Sequence, residues 1–114
     1  MCTKSELQTI LSVTHKYLEG IFGNQLENVL LYGSYARGDN TSESDIDVMA
    51  LVNMPKEMMY TYRRKISDFS SDIDLKYGVL LSIKLQDTET FNRYSSVLPF
   101  YKNVIKEGIN INIR

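Results

Sequence analysis

Apolar residues beat at helical intervals near the start of the chain: Leu7, Ile10, Leu11, Leu18, Ile21 and Phe22 share one stripe, with Thr3 or Ser5 as N-cap and Gly23 as stop. The spacing predicts a helix over 5–22, leaves His15 off the stripe as a solvated surface residue, and sets Tyr17 packing at its edge. A short apolar run, 29–32, ends at Gly33-Ser34. Beyond a polar loop over 38–44, Ile46, Val48, Ala50 and Val52 alternate on one parity, which predicts a strand over 46–52. Met59, Tyr62, Ile66 and Phe69 return to helical spacing behind Pro55, so 55–70 reads as a second helix whose Arg63-Arg64-Lys65 run is a solvated face. Ile73, Leu75, Tyr77, Val79, Leu81, Ile83 and Leu85 then alternate, and 72–85 is expected to be a long strand. A helical turn over 88–94 and a helix over 99–107 follow, the latter opened by Pro99 and stopped by Gly108. Ile109, Ile111 and Ile113 alternate with Asn110 and Asn112, the pattern of an edge strand or of a strand that pairs with another chain. This order belongs to the α+β class: one domain over 1–114, a mixed sheet, and helices packed mainly on one face, leaving the other open.

The chemistry concentrates in 32–52, YGSYARGDNTSESDIDVMALV. If 46–52 is extended, Asp45 and Asp47 project to the same side, opposite the apolar parity. Two carboxylates roughly 6–7 Å apart repel each other, and a hard divalent cation between them relieves the repulsion. Mg²⁺ suits such a site because it accepts one or two protein carboxylates and completes its octahedron with water and phosphate oxygens. Gly33 lets the backbone approach a ligand that a Cβ would exclude, Ser34 adds a hydroxyl, a helical turn over 35–37 would aim amides at an anion, and Arg37 supplies a fixed positive charge. The candidate metal ligands are therefore Asp45 and Asp47, and the candidate phosphate-binding residues are Gly33, Ser34 and Arg37. Asp39 and Glu43 lie in the polar loop and read as solvated.

Gly33-Ser34, ten intervening residues and Asp45-x-Asp47, within the words GSYARG and SDIDV, resemble the signature of the DNA polymerase β-like nucleotidyltransferases, and the short chain resembles their minimal members. That resemblance implies a nucleotidyltransferase-like fold and Mg²⁺-dependent transfer of AMP from ATP to a protein hydroxyl. It also implies an antitoxin role beside a HEPN-domain toxin, the acceptor being a tyrosine. A third carboxylate on a further strand is part of the family pattern. The expected register of the 72–85 strand puts Gly78 in that place, with Asp74, on the same parity, as the alternative catalytic acid. The Gly78 departure keeps two other readings in play: a catalytically degenerate antitoxin or assembly subunit acting by binding alone, and a nucleotidyltransferase acting on a small aminoglycoside-like molecule. The chain is short for the latter, because enclosing a small acceptor calls for a second domain.

Composition adds exclusions. With 114 residues, 43% hydrophobic and 24% charged, the chain is ordinary globular protein, and a net charge of −1 argues against direct nucleic-acid binding. One cysteine, Cys2, and one histidine form neither an internal disulfide nor a structural zinc site, which fits a cytoplasmic protein. No run of eighteen apolar residues points to a membrane span. Acceptor recognition is expected to come from a partner protein or from a homo-oligomer, since no second domain is available to provide it.

Overall fold

A computed structural model describes residues 3–111; Cys2, Asn112 and Ile113, and the readings attached to them, lie outside the described residues. Helix α1 spans Lys4–Phe22. Thr3 caps it in a reciprocal box, its hydroxyl accepting from the Glu6 amide at 3.0 Å while Glu6 accepts from the Thr3 amide at 2.9 Å. Strand β1 (Leu26–Tyr32), a single helical turn α2 (Ser34–Arg37) and strand β2 (Ile46–Val52) follow. A 3₁₀ turn at Lys56–Met59 leads into α3 (Tyr60–Tyr77), and β3 (Leu81–Asp87), α4 (Thr88–Tyr94), α5 (Pro99–Glu107) and β4 (Ile109–Asn110) complete the chain.

The four strands form one mixed sheet in the order β3-β2-β1-β4. β1 is antiparallel to both β2 and β4, while β2 and β3 run parallel and α3 is the crossover that parallel pairing requires. Ile46, Val48, Ala50 and Val52 are wholly buried on one face, against α1 and α3, together with Ile10, Leu18, Ile66 and Ile73. The opposite face is covered only over its far half: Met49 and Leu51 pack with Phe91 of α4 and Val104 of α5. The two longest helices thus share one face, as the pattern predicts, and the short α4 and α5 leave the start of β2 uncovered on the other. No helix among the described residues is long and apolar enough to cross a membrane.

Two sequence-based expectations are corrected. The residues expected to begin a strand at 72 continue α3 to Tyr77, because Ile66, Phe69, Ile73 and Tyr77 extend the helical stripe and Leu75, on the supposed strand face, is 86% exposed. Gly78 is therefore no strand residue. It closes α3 in the left-handed conformation, φ 66°, its amide donating to the Asp74 carbonyl at 2.9 Å. Asp74 is helical too, and its carboxylate accepts from the Leu81 amide at 2.7 Å, tying the helix end to the start of β3. The second correction concerns His15, which is buried at 6% exposure rather than solvated. With Thr14 it occupies the buried stripe of α1 between Leu11 and Leu18.

Candidate active site

β1 delivers the chain to the site and Gly33 turns it. The glycine has φ 78°, a left-handed conformation that side chains disfavour, and an added Cβ would stand 2.5 Å from Oδ2 of Asp47. The bend and the second aspartate are thus in direct apposition. Ser34 opens α2, whose Ala36 and Arg37 amides both donate to the Gly33 carbonyl at 3.1 Å, so the expected helical turn after the Gly-Ser pair is present. Gly38, φ 84°, ends that turn and releases the polar loop.

Asp45 lies just before β2 and Asp47 within it, both on the parity opposite the buried Ile46 and Val48. Burial pushes the Asp47 carboxyl above the usual carboxylate range, the charge of Asp45 pushes it further, and Arg37 pulls it back. This is the electrostatic signature of an acid pair with too little positive charge around it. Arg37 is the fixed cation anticipated from sequence, but it is shared: its guanidinium pairs with Asp39 at 3.1 Å and with Glu107 of α5 at 3.4 Å. Asp39, read as a solvated loop acid, is exposed and serves to anchor that arginine.

The remainder of the site comes from strand register that local sequence does not reveal. Tyr32 sits opposite Asp47 on β1, its phenol pushed up by burial and then by the Asp47 charge, and its ring meets Phe100 edge-on at 5.7 Å. On the other side, Asp47 is in register with Ser82 of β3, and Met49 with Lys84. Ser82, not Gly78, thus stands beside Asp47 on the parallel strand. Lys84 lies on the same face, its ammonium 5.0 Å over the Phe100 ring. Asp74, held at the far end of α3 by the Leu81 amide, is not brought to the carboxylate pair. Among the described residues, no group of three or more His, Cys, Asp or Glu side chains could hold a metal ion.

The residues present fit a hard cation. Two neighbouring acids, one of them partly buried and with its pKa raised by that burial and by the charge of the other, form a donor set that gains from a divalent ion between them, and Mg²⁺ needs no third protein ligand.

Comparison with known proteins gives the family and the fold. A family model described as a nucleotidyltransferase domain matches residues 15–110. Two Methanocaldococcus jannaschii proteins assigned as protein adenylyltransferases are similar in sequence. MJ0604 is 33% identical over 91 residues, covering 80% of this chain and 83% of that protein. MJ0141 is 41% identical over 78 residues, covering 68% of this chain and 76% of that protein. Among solved structures, a protein assigned as a nucleotidyltransferase from Sulfolobus solfataricus superposes with a TM-score of 0.55 at 23% identity, covering 96% of this chain and 87% of the other. A toxin-antitoxin structure with AMP-PNP gives 0.52 at 19% identity, covering 93% of this chain and 71% of the other. At these identities the two structures speak to the fold alone.

Proposed function

The chain belongs to the nucleotidyltransferase domain family and is a nucleotidyltransferase, and from that premise we propose that it transfers AMP from Mg²⁺-bound ATP to a hydroxyl of a partner protein, acting as the antitoxin of a HEPN-type toxin. The observation that carries the site assignment is the apposition of Gly33 to Asp47, with Asp45 close enough to raise the Asp47 pKa. The names of the Methanocaldococcus relatives support a protein acceptor. The toxin-antitoxin neighbour with AMP-PNP shares the fold, and the nucleotide and the toxin partner of this proposal are carried over from it.

In this reading Asp45 and Asp47 hold the metal, whose contribution is to neutralise charge at the α-phosphate and orient it. Gly33 and Ser34 cradle the β- and γ-phosphates, the glycine by close backbone approach and the serine through its hydroxyl. Arg37 offsets part of the triphosphate charge from its anchored position. The acceptor oxygen attacks the α-phosphorus and forms the new P–O bond, the bond to the β-phosphate breaks with its electron pair, pyrophosphate departs, and the hydroxyl proton passes to solvent. Ser82 beside Asp47 provides no carboxylate to take that proton, and this favours a second reading in which the protein neutralises its partner by binding alone.

The two readings separate in one experiment. The protein is incubated with α-labelled ATP, Mg²⁺ and the product of its adjacent reading frame, beside the Asp45→Asn and Asp47→Asn variants. Label is expected on the partner, falling by about 100-fold or more in each variant, the order seen when one charge-stabilising group is removed from a transfer site. A stable complex that takes no label with any of the three proteins would support the binding reading. Equal labelling by all three would overturn the assignment of the acids.

A further inference from the structure

β3 is an edge strand, and it lies beside the strand that carries the acids. Its outward backbone groups can be identified. The Leu80 carbonyl accepts from the Ile46 amide at 2.8 Å and so points at β2, whereas the Leu81 amide points away, into the Asp74 carboxylate. By the alternation of a strand, the N–H and C=O groups of Ile83 and Leu85 also face outward, where the described residues add no further strand. Such a row is a ready template for an added strand.

The surface along this row is shaped and charged. A groove of about 440 Å³ runs between the edge and α3, floored by Ile66, Leu81, Ile83 and Leu85 and rimmed by Arg63 and Lys84. A second cleft of about 280 Å³ continues it toward Tyr60 and Lys56 and shares Arg63 and Lys84. The acids nearest the edge are engaged: Asp74 with the Leu81 amide, and Asp87 with the Thr90 amide and the Lys56 charge. Arg63 lies 4.6 Å over the Tyr60 ring and Lys84 5.0 Å over Phe100, contacts that leave their charge unneutralised. The edge therefore calls for an extended, apolar-alternating and acidic occupant. A second copy of this chain is disfavoured, because pairing β3 with β3 would set Arg63 and Lys84 against their own likenesses.

We propose that β3 is the strand on which the acceptor docks: an extended acidic segment of the partner protein adds to the Leu81–Asp87 edge, one set of its side chains in the groove and the other on the face of Asp45 and Asp47. This rests on the transfer reading given above and names how the acceptor reaches the site. An added strand would lie about 10 Å from β2, two strand spacings. Ser82, in register with Asp47 and small, leaves the space between them open, so a hydroxyl side chain of the added strand can lie across it. Tyrosine, the longest of the hydroxyl side chains, suits that span. The serine that takes the place of a third acid thus becomes the opening through which the acceptor enters.

The test uses isotope-labelled protein and a short synthetic peptide with valine at alternate positions, a central tyrosine and glutamates elsewhere, followed by amide NMR. The Ile83 and Leu85 amides are expected to shift and to exchange more slowly. A copy with lysines for glutamates, and a copy N-methylated along its backbone, should each bind roughly tenfold or more weakly, the order of one lost ion pair or hydrogen bond. Ile83→Pro removes an outward amide while sparing the ladder to β2, and should abolish peptide binding; Arg63→Glu, on the helix surface, should weaken it without touching the sheet. Equal binding of all three peptides, shifts centred on α5 or β4, or no shifts at millimolar peptide would overturn the proposal. So would protection of Ile83 and Leu85 by self-association without peptide. ATP with Mg²⁺, titrated into the same samples, reports separately through the 33–37 amides. Peptide docking without that response would sink the transfer reading and leave the docking edge standing.

Discussion

The parallel pair β2 and β3 carries an aspartate near each end, and the protein treats them oppositely. Asp47, at the start of β2, is lifted above the ordinary carboxylate range by burial and by Asp45, with only a shared arginine against them. Asp87, at the end of β3, is buried at 6% exposure, and burial would push it the same way. Hydrogen bonds from Thr90 and the charge of Lys56 outweigh that and hold it low. Its carboxylate caps α4, accepting from the Thr90 amide at 2.9 Å, and takes a further bond from Gln86 at 3.1 Å, while Gln86 in turn accepts from the Tyr101 hydroxyl at 2.9 Å. One end of the strand pair is a finished polar network that fixes α4 and α5 to the sheet. The other end is left short of positive charge, and that shortage is what marks it as the candidate site.

The sharpest way to break this contrast is to add a single methyl at the unfinished end. Gly33→Ala places a Cβ 2.5 Å from the Asp47 carboxylate and forces a side-chain residue to φ 78°. The strained backbone alone costs about 1–3 kcal/mol, and displacement of Asp47 should reduce nucleotidyl transfer by about 100-fold. Thermal melting should show the first effect and partner labelling the second. A variant that melted and labelled like the parent would mean that the bend does not set the position of the acid.

Much of this architecture was legible in the chain. The α1 caps, the Gly33-Ser34 turn, the β2 alternation and the bounds of α4 and α5 are local signals, each set by a few neighbouring residues, and the structure agrees with them. Residues 72–77 misled because Ile73 and Tyr77 fit both periods: two-residue alternation joins them with Leu75 as strand, while Ile66 and Phe69, two turns and one turn before Ile73, extend them as helix. His15 misled for a related reason, since a polar ring can occupy a core stripe when neighbouring positions supply the apolar cover. Tyr32, Ser82, Lys84 and Phe100 carried no local mark at all. Their place beside the acids depends on the β2–β3 register and the path of α5, which are long-range choices of the fold.

A milder perturbation acts at the finished end. Asp87→Ala removes the cap of α4 and should cost about 1 kcal/mol, a loss measured by denaturant midpoint at unchanged slope. ATP binding at the opposite end of the strand pair should stay within about twofold of the parent, because that loss is confined to a network that touches neither Gly33 nor Asp47. A large drop in nucleotide affinity instead would join the two ends into one energetic unit.

The smallest effect is also the most diagnostic, because its sign separates an acid kept for a ligand from one kept for the fold. The Asp47 pKa is higher in the folded chain than in the unfolded one, so its contribution to stability is fully present below the ordinary carboxylate range and is lost as pH rises through the raised value. Asp47→Asn cannot ionise and escapes that loss. In metal-free buffer at neutral pH the variant should melt slightly above the parent, the gap closing as pH falls below the carboxylate range. Asp87 must behave in the reverse sense: its depressed pKa stabilises the fold above the ordinary range, and that stabilisation drains away as pH falls through the lowered value. Adding Mg²⁺ should stabilise the parent and not the Asp47 variant, reversing their order at neutral pH. If Asp47→Asn were instead destabilising without metal at neutral pH and indifferent to added Mg²⁺, the acid would be a structural member like Asp87, and the contrast between the two ends would collapse.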